Sequence, residues 1–500
     1  MASDLYLAID VGTGSVRAAL VDGSGRILHI ASREHEQIVP AHGWSEQRPQ
    51  DWWDGVVEVV RKAIDWAGAD AARIAAICVC GQMHGTVLVD GSGKLTRPTA
   101  PLWNDKRTSE HVSAFEAANP ADSYLARTAN PATPAWPGFK LQWIRDNDFA
   151  AYQRAAAVLM PKDFINLRLT GEIATDWTEA SVSFLMETGT GAWSAEMVER
   201  LGLDAAKLPP IRAPQDVLGT VTEAAARITG LSVGTPVLVG GGDFPVALLG
   251  SGVCRKGLGS DVTGTSSIIT FIAERPIVGP EICNVATPEG NWGAFVLLES
   301  GGDAMRWARR ALHHNRITYD EFVRSAAEAP AGADGLFFLP YLVGERLGAH
   351  RNSRAQFFGL SAGHGAAHLD RAVMEGVAFA VTRQIRGMEA ASGVRLDRVV
   401  ASGGGAKTEL WLAIKASAYG RPILVPEEAE CSVVGCAALA ACATGRFSTP
   451  ADAATAFVRY DREIAPDPAW AERYQRMQPV FDRLYLGSQA YYDDLDALAG

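Results

Sequence analysis

Short apolar segments separated by glycine-rich turns open the chain, and this pattern predicts β-strands joined as hairpins. Apolar residues then recur at helical spacing over one longer segment, after which another apolar strand pattern follows. The predicted strands are residues 5–10, 16–21, a segment starting at Ile27, and residues 74–79, and the predicted helix is residues 52–66. Hairpin-linked strands followed by alternating helix and strand indicate a mixed α/β fold.

The opening pattern recurs in the second half of the chain. Predicted strands over residues 257–262 and 268–272 flank the turn Gly264-Thr265-Ser266, just as strands flank Gly12-Thr13-Gly14, about 250 residues earlier. Such turns also recur by chance, but the half-chain offset and the matching context favour a duplicated domain. A chain of 500 residues is too long for one core. We therefore expect domains of residues 1–246 and 247–500.

Composition excludes several classes of protein. The chain is 48% apolar and 21% charged, as in ordinary globular proteins, and contains no apolar run near the roughly 18 residues of a membrane helix. A net charge of −11 without a basic block argues against a nucleic-acid partner. Seven cysteines without CxxC spacing, and an N-terminus without leader features, predict a reduced cytoplasmic protein.

Phosphate binding by a standard P-loop is excluded. Leu95 follows Gly91-Ser92-Gly93-Lys94 where serine or threonine is required, so this segment is predicted to be a hairpin turn. The two repeated turns, with Gly12 and Thr13 in one and Gly264 and Thr265 in the other, offer an alternative. Glycines let backbone N–H groups approach phosphate oxygens, and Asp10 at a strand end would meet Mg²⁺ through water.

The segment Gly240-Gly241-Gly242-Asp243 carries a more specific signal. A short apolar strand delivers three glycines and then one carboxylate, which removes side-chain bulk beside the acid. Phosphoryl transfer needs positioning, charge neutralisation and a base for the attacking hydroxyl, and Asp243 fits that base. The alternative is that Asp243 caps the helix that follows. The two roles are compatible.

Further candidates line a possible small-molecule pocket. The glycine-rich turn Gly403-Gly404-Gly405 suits the close approach of adenine or ribose, although a plain strand–helix connector would look the same. Met83 and His84 lie between glycines after a strand and suit a sugar with polar and apolar faces, whereas a lone histidine is more often structural. Trp103 adds an aromatic surface typical of carbohydrate pockets.

Together these segments resemble the FGGY family of carbohydrate kinases. The clearest match is Ala355-Gln356-Phe357-Phe358-Gly359-Leu360, seven residues, and then a segment starting at His368-Leu369-Asp370. The N-terminal signature is met partly, by Lys140-Leu141-Gln142-Trp143, because Ala135 departs from it. Four blocks resemble the xylulokinase branch of the family: Trp44-Ser45-Glu46-Gln47, Gly81-Gln82-Met83-His84-Gly85, Trp103-Asn104-Asp105 and Pro161-Lys162-Asp163.

The resemblance implies two actin-like (ribonuclease H-like) domains with a cleft between them. The N-terminal domain would bind the sugar and the C-terminal domain ATP. It further implies cytoplasmic phosphorylation of D-xylulose by Mg-ATP, with no membrane or nucleic-acid partner, in a monomer or homodimer. The implied roles are proton acceptor for Asp243, Mg²⁺ for Asp10, phosphates for Gly12, Thr13, Gly264 and Thr265, adenosine for Gly404, Gly405 and Glu409, and sugar for Met83, His84, Trp103 and Asp243.

Two departures from the xylulokinase pattern leave the acceptor open. Phe244-Pro245 follows the predicted base where asparagine is usual, and Gly344-Glu345-Arg346 continues into Leu347-Gly348-Ala349 rather than Thr-Pro-His. Another ketopentose, a tetrulose or a polyol is therefore an alternative acceptor. An alternative of another class is a non-catalytic or chaperone-like ATPase, since fold does not fix function.

Overall fold

The computed structural model describes residues 4–347 and 351–499, so Gly348 and Ala349 of the second departure lie outside the described residues. The chain forms two compact units. The first unit comprises the chain up to Cys254 together with Cys283–Gly293 and Glu430–Val458, and the second comprises Arg255–Ile282, Ala294–Ala429 and the chain from Arg459. The first change of unit comes at Cys254, whereas the sequence predicted one boundary near residue 246. The assignment of sugar and ATP to separate halves stays a prediction.

The secondary structure is mixed. The strands are β1 (Leu5–Val11), β2 (Ser15–Asp22), β3 (Ile27–Glu34), β4 (Glu46–Gln47), β5 (Ile74–Gly81), β6 (Val87–Val89), β7 (Ala100–Pro101), β8 (Ala157–Leu159), β9 (Thr175–Asp176), β10 (Ile211–Arg212), β11 (Val217–Thr220), β12 (Pro236–Leu238), β13 (Gly241–Gly242), β14 (Leu258–Thr263), β15 (Ser267–Ala273), β16 (Cys283–Ala286), β17 (Trp292–Leu298), β18 (Phe337–Leu339), β19 (Gln356–Phe358), β20 (Arg398–Ser402), β21 (Ile423–Pro426) and β22 (Tyr460–Ile464). The α-helices are α1 (Pro49–Ala67), α2 (Ser109–Ala118), α3 (Leu125–Thr128), α4 (Pro137–Asn147), α5 (Phe149–Arg154), α6 (Pro161–Thr170), α7 (Trp177–Ala180), α8 (Ala195–Arg200), α9 (Glu223–Thr229), α10 (Asp243–Gly250), α11 (Gly302–Ala311), α12 (Tyr319–Glu328), α13 (Ala366–Ser392), α14 (Glu409–Tyr419), α15 (Cys431–Ala443), α16 (Pro450–Phe457), α17 (Pro468–Ser488) and α18 (Tyr492–Ala499).

The first unit is built on a sheet of order β11-β12-β5-β1-β2-β3, with β13 beside β5. Strands β1, β12 and β13 run parallel to β5, whereas β1, β2 and β3 form the predicted antiparallel hairpins. Alternate residues of β1 enter different cores: Leu7 and Ile9 pack with α1 and α6, and Tyr6 and Ala8 pack with α10, α15 and α16. Because both faces of the sheet are covered by helices, β1 is apolar along its length apart from Asp10.

The second unit repeats this arrangement in a sheet that includes the order β17-β15-β14-β20-β21-β22. Strands β14 and β15 form an antiparallel hairpin, and β14 runs parallel to β20, as β1 runs parallel to β5. The long helix α13 provides much of the core of this unit, including Val377 and Phe379. The predicted recurrence of a strand–turn–strand unit is thereby confirmed.

Other sequence predictions concern turns, thiols and membrane helices. Asp90 N donates to Lys94 O over 2.8 Å, so Gly91-Ser92-Gly93-Lys94 is the predicted hairpin turn. All seven cysteines are free thiols. Within residues 4–347 and 351–499, no helix combines the length and apolarity that crossing a membrane requires.

The turn between β12 and β13 generates a stability prediction. Gly240 has φ 71°, and a β-carbon there would lie 1.8 Å from Val79 O. Gly234 also has positive φ, 85°, but a β-carbon there meets nothing within 4 Å. We expect Gly234→Ala to lower the free energy of unfolding by about 1–2 kcal/mol through backbone strain alone. Gly240→Ala adds a backbone clash and should cost more than about 3 kcal/mol.

Thermal and urea unfolding of both variants beside the wild type measures this difference. Equal losses of unfolding free energy in the two variants would show that backbone strain alone accounts for the cost. The predicted clash between a β-carbon at Gly240 and Val79 O would then be wrong.

Candidate active site

The carboxyl ends of three parallel strands meet at one edge of the first unit's sheet. Asp10 in β1 lies opposite Cys80 on one side of β5, and Gly241 in β13 lies opposite Cys80 on the other side. Asp243 begins α10 directly after β13. Two carboxylates predicted from separate motifs, Asp10 and Asp243, are thereby brought to the same edge. This is the position at which open α/β sheets bind their ligands.

Asp243 is the first residue of α10, whose N-cap position is Gly242, and the helix begins without a side-chain capping hydrogen bond. The predicted capping role of Asp243 is therefore wrong, because its carboxylate lies inside the first turn rather than before it. Its Oδ1 atom accepts a hydrogen bond from the adjacent Phe244 N over 2.7 Å, which holds the carboxylate in place. The preceding peptide is fixed as well, because Gly242 N donates to Thr178 Oγ1 over 2.9 Å. Burial and the nearby charge of Asp10 raise the pKa of Asp243 to about 7. A carboxylate with this pKa is suited to accept a proton near neutral pH.

Asp10 is buried, and among the described residues a hydroxyl group donates to only one of its carboxylate oxygens. Oδ2 accepts a hydrogen bond from Ser432 Oγ over 2.9 Å, and Arg17 Nη1 lies 3.9 Å from the same atom. Oδ1 accepts no N–H or O–H hydrogen bond from the described residues. Burial raises the pKa of Asp10, an effect that the Arg17 charge opposes. Arg17 also pairs with Glu430, which fixes a cation beside Asp10.

The free oxygen of Asp10 fits one water of a hydrated Mg²⁺ ion. The described part of the chain contains no group of three or more His, Cys, Asp and Glu side chains that could enclose a metal. Mg²⁺ keeps most of its water shell and commonly binds through one or two carboxylates together with substrate phosphates. Asp10 is therefore suited to a magnesium ion that arrives with a nucleotide.

The turn after β1 is fixed by side chains from other segments. Thr13 O accepts from Gln47 Nε2 over 2.7 Å and lies 3.0 Å from His35 Nε2. Trp103 Nε1 donates to Thr13 Oγ1 over 3.1 Å, while 39% of the Trp103 residue surface remains exposed. Gly12 N donates to Ser15 O over 3.0 Å and closes the turn. Thr13, one of the two predicted phosphate residues of this unit, is thus in direct contact with Trp103.

Met83 and His84 follow β5 at the same edge. The Met83 side chain packs on Gly242, where an added β-carbon would lie 2.6 Å from Met83 Cε. His84 adopts φ 67°, and its ring meets the Trp136 ring edge-on with centroids 5.1 Å apart. The structure therefore places Met83, one of the predicted sugar residues, beside the peptide that precedes Asp243.

A fully buried lysine, Lys162, contacts the residue that precedes the glycine-rich segment. Lys162 Nζ lies 2.5 Å from Asp163 Oδ1 and 3.0 Å from Asp176 Oδ1, and it donates to Val239 O over 3.2 Å. These carboxylates raise the pKa of Lys162 despite its burial. The ammonium group thus joins α6 to the strand end that leads to Asp243.

In the second unit, the turn after β14 is held by the start of α11. Asp303 N donates to Thr265 O over 3.0 Å, and Arg306 Nη2 donates to Thr265 Oγ1 over 3.2 Å. Gly264 N donates to Ser266 O over 2.9 Å. Gly264 is exposed, and a β-carbon there meets nothing within 4 Å. Hydrogen bonds therefore hold the turn in place, and the surface at Gly264 is left uncovered.

The two glycine-rich segments of the second unit lie together. A β-carbon on Gly405 would be 2.8 Å from Thr263 Cβ, so this segment packs directly on the residue before Gly264. Gly404 and Glu409 are exposed on the same connection between β20 and α14. The structure thus brings together the predicted phosphate and adenosine residues of this unit.

Sequence reasoning missed several residues that support these sites: Arg17, Gln47, Lys140, Lys415 and the Arg306–Thr265 contact. Lys415 Nζ, fully buried, donates to Asp261 Oδ2 over 2.9 Å and to Thr263 Oγ1 over 2.7 Å, and so ties α14 to the end of β14. The β1–β2 hairpin register, which sets Asp10 opposite Arg17, was the signal that could have revealed the cation. Lys140 and Lys162 stood in motif segments that assigned them no role, and no local signal marked Lys415.

Comparison with known proteins identifies the class. The N-terminal domain profile of the FGGY family of carbohydrate kinases matches residues 5–250, and the C-terminal domain profile matches residues 260–444. The chain therefore belongs to the FGGY family of carbohydrate kinases.

Individual members of the family are similar to this chain over nearly its whole length. A xylulose kinase of Bacillus subtilis (strain 168) is 29% identical over 485 residues, covering 96% of each chain. The crystal structure of xylulose kinase from Rhodospirillum rubrum matches with a TM-score of 0.92 and 31% identity, covering 98% of this chain and 100% of that chain. An autoinducer-2 kinase of Klebsiella pneumoniae subsp. pneumoniae is 29% identical over 510 residues, covering 97% and 94%. The mixed α/β two-domain fold predicted from sequence is confirmed.

The open surface at Gly264 generates a prediction about nucleotide binding. Gly264→Val has space for its side chain but would block backbone approach by a phosphate group. We expect the Kd for Mg-ATP to rise at least about tenfold, the effect of losing charge-assisted hydrogen bonds. Sugar affinity, measured without nucleotide, should be unchanged.

Isothermal titration calorimetry measures both affinities, with the melting temperature as a check on folding. Gly387→Val is the matched control, since Gly387 is exposed on α13 with equally open space. Unchanged Mg-ATP affinity in the Gly264 variant would exclude this turn from the phosphate site.

Proposed function

We propose that this carbohydrate kinase transfers the γ-phosphoryl group of Mg-ATP to D-xylulose, forming D-xylulose 5-phosphate and ADP. The observation that carries the proposal is the Asp243 carboxylate, with a pKa of about 7, at a strand edge shared with Asp10 and next to Met83. A carboxylate next to Met83, with His84 following the same strand, suits a small hydroxylated acceptor. An ATPase without such an acceptor has no need for these groups.

The proton transfer follows from these positions. The sugar hydroxyl oxygen forms a bond to the γ-phosphorus while the bond between that phosphorus and the bridging oxygen of ADP breaks. The hydroxyl proton passes to the Asp243 carboxylate. Because the hydrogen bond from Phe244 N fixes Oδ1, the carboxylate keeps one orientation. Phosphoryl transfer asks for such positioning more than for covalent chemistry.

The nucleotide would be held by backbone groups rather than by a lysine-bearing P-loop. We assign the phosphates to the turns at Gly12-Thr13 and Gly264-Thr265, and the adenosine to Gly404, Gly405 and Glu409. The magnesium ion that accompanies ATP would meet Asp10 Oδ1 through water. Bound Mg²⁺ neutralises negative charge on the phosphates, and Arg17 adds a fixed cation beside Asp10.

The acceptor is assigned to Met83, His84, Trp103 and Asp243. D-xylulose is favoured because the xylulose kinases of B. subtilis and R. rubrum resemble the chain over nearly its whole length. The autoinducer-2 kinase and the B. subtilis xylulose kinase are both 29% identical to this chain. Another ketopentose, a tetrulose or a polyol therefore remains the alternative acceptor. Phe244, whose side chain offers the sugar no hydrogen bond, belongs to one of the two segments in which this chain departs from the xylulokinase pattern.

The role of Asp243 is tested by Asp243→Asn. Asparagine keeps the Oδ1 acceptor for Phe244 N but removes the base, so turnover should fall by about 10²–10⁴. The melting temperature and the Mg-ATP affinity should stay near wild type. Turnover is measured with an ADP-coupled assay.

The same change at Asp467, whose carboxylate caps α17 and has no assigned role in catalysis, should leave turnover intact. Turnover of Asp243→Asn within a few-fold of the wild type would show that Asp243 is not the base.

The raised pKa of Asp243 predicts a pH profile. The base acts only as the carboxylate, so kcat/KM for the sugar should rise as pH increases through about 7 and then level off. A reference aspartate has a pKa of 3.8, and an inflection near that value would instead indicate an ordinary exposed base. The profile is measured at saturating Mg-ATP, and the residual activity of Asp243→Asn should lack the inflection.

The acceptor is tested by comparing kcat/KM for D-xylulose, other ketopentoses, tetruloses and polyols. We expect D-xylulose to give the highest value. In Phe244→Asn, an added hydrogen bond worth about 0.5–1.5 kcal/mol should improve D-xylulose by about 2- to 12-fold over deoxy analogues. A higher kcat/KM for another acceptor would replace D-xylulose, and equal effects on all sugars would show that Phe244 does not face the acceptor.

A further inference from the structure

His84 has an unusual backbone conformation for a residue with a β-carbon. Its φ of 67° lies in the left-handed region, which glycine adopts readily and other residues rarely adopt. Such a conformation persists where surrounding contacts hold it in place, and it is common at ligand sites. The contacts that hold His84 are therefore informative.

Two of these contacts come from a single turn of helix. Lys140 Nζ donates a hydrogen bond to His84 O over 2.9 Å. Trp136, the residue before α4, meets the His84 ring edge-on at an interplanar angle of 69°. Residues four apart lie on one face of a helix, so the start of α4 presents both groups together. Trp136 is fixed in turn, because its Nε1 donates to Pro131 O over 2.7 Å.

Lys140 is fully buried, which is rare for lysine. Burial lowers the pKa of Lys140 to about 7, with Asp105, Arg107 and Glu179 as the charged groups around it. Both the protonated and the neutral amine have an N–H to donate, so the bond to His84 O is available on either side of that pH. Burying an amine is unfavourable unless it forms hydrogen bonds, and the His84 carbonyl supplies one.

We propose that Lys140 and Trp136 are positioning residues that hold His84 in the conformation that binds the sugar. The inference rests on the proposed function, in which His84 contacts the acceptor. It gives a purpose to the lysine of the segment Lys140-Leu141-Gln142-Trp143. Neither residue needs to touch the sugar, since Lys140 acts on the carbonyl of His84 and Trp136 acts on its ring.

The test measures sugar and nucleotide affinities separately in Lys140→Met, which keeps the chain length but removes the donor. We expect the Kd and KM for D-xylulose to rise by about 5- to 50-fold, while the Mg-ATP affinity stays unchanged. In a His84→Gly background the backbone is unstrained and the ring is absent, so Lys140→Met should add no further loss. Trp136→Leu tests the ring contact independently and should also weaken sugar binding alone.

Lys207→Met is the matched control. Lys207 is also buried in the first unit and donates to a backbone carbonyl, but to that of Ala155, over 2.6 Å. Its substitution should leave sugar affinity unchanged. Equal losses of sugar and Mg-ATP affinity in Lys140→Met, or the same sugar loss in Lys207→Met, would overturn the proposal. If His84→Gly itself leaves D-xylulose affinity unchanged, the assignment of the sugar site to His84 fails instead, and the proposal with it.

Discussion

The buried ammonium group of Lys162 is the interaction on which the first unit's site depends. It pairs with Asp163 and Asp176 and donates to Val239 O, so it binds α6 to the strand that ends in three glycines. These glycines leave no side chain to hold the segment, and its position is set by neighbours. Removing one partner from a buried ion pair typically costs about 3–5 kcal/mol, because a charge is left uncompensated. This anchor therefore fixes Val239, four residues before Asp243.

The parallel pairing of β1 and β13 with β5 sets which residues lie next to one another at the site. Asp10 and Gly241 both lie opposite Cys80, and Met83 follows the same strand two residues after its end. A shift of one residue in either pairing would turn every side chain to the other face of the sheet. Asp10, Met83 and Asp243, to which we assign magnesium, the sugar and the proton, thus share one register. The burial that raises the pKa of Asp243 arises from the same packing.

Local features of the site could be predicted from sequence, whereas its long-range partners could not. The hairpins at Gly12 and Gly264 and the start of α10 follow from glycine spacing and apolar pattern, which act over a few residues. Ser432 reaches Asp10 from 422 positions away, and no local pattern records that contact. Lys140 and Lys162 have the residue type of exposed positions, so their burial was not predicted. The interleaving of the two units along the chain is long-range in the same way.

The fate of the γ-phosphoryl group distinguishes a kinase that acts on D-xylulose from an ATPase. The protein is incubated with Mg-ATP and D-xylulose labelled with carbon-13, and the products are followed by phosphorus and carbon NMR. We expect a phosphate ester at the terminal hydroxyl of D-xylulose. Its amount should equal that of ADP, and it should be absent when the sugar is omitted. Formation of ADP and inorganic phosphate at the same rate with and without sugar would contradict it and would indicate an ATPase on the same fold.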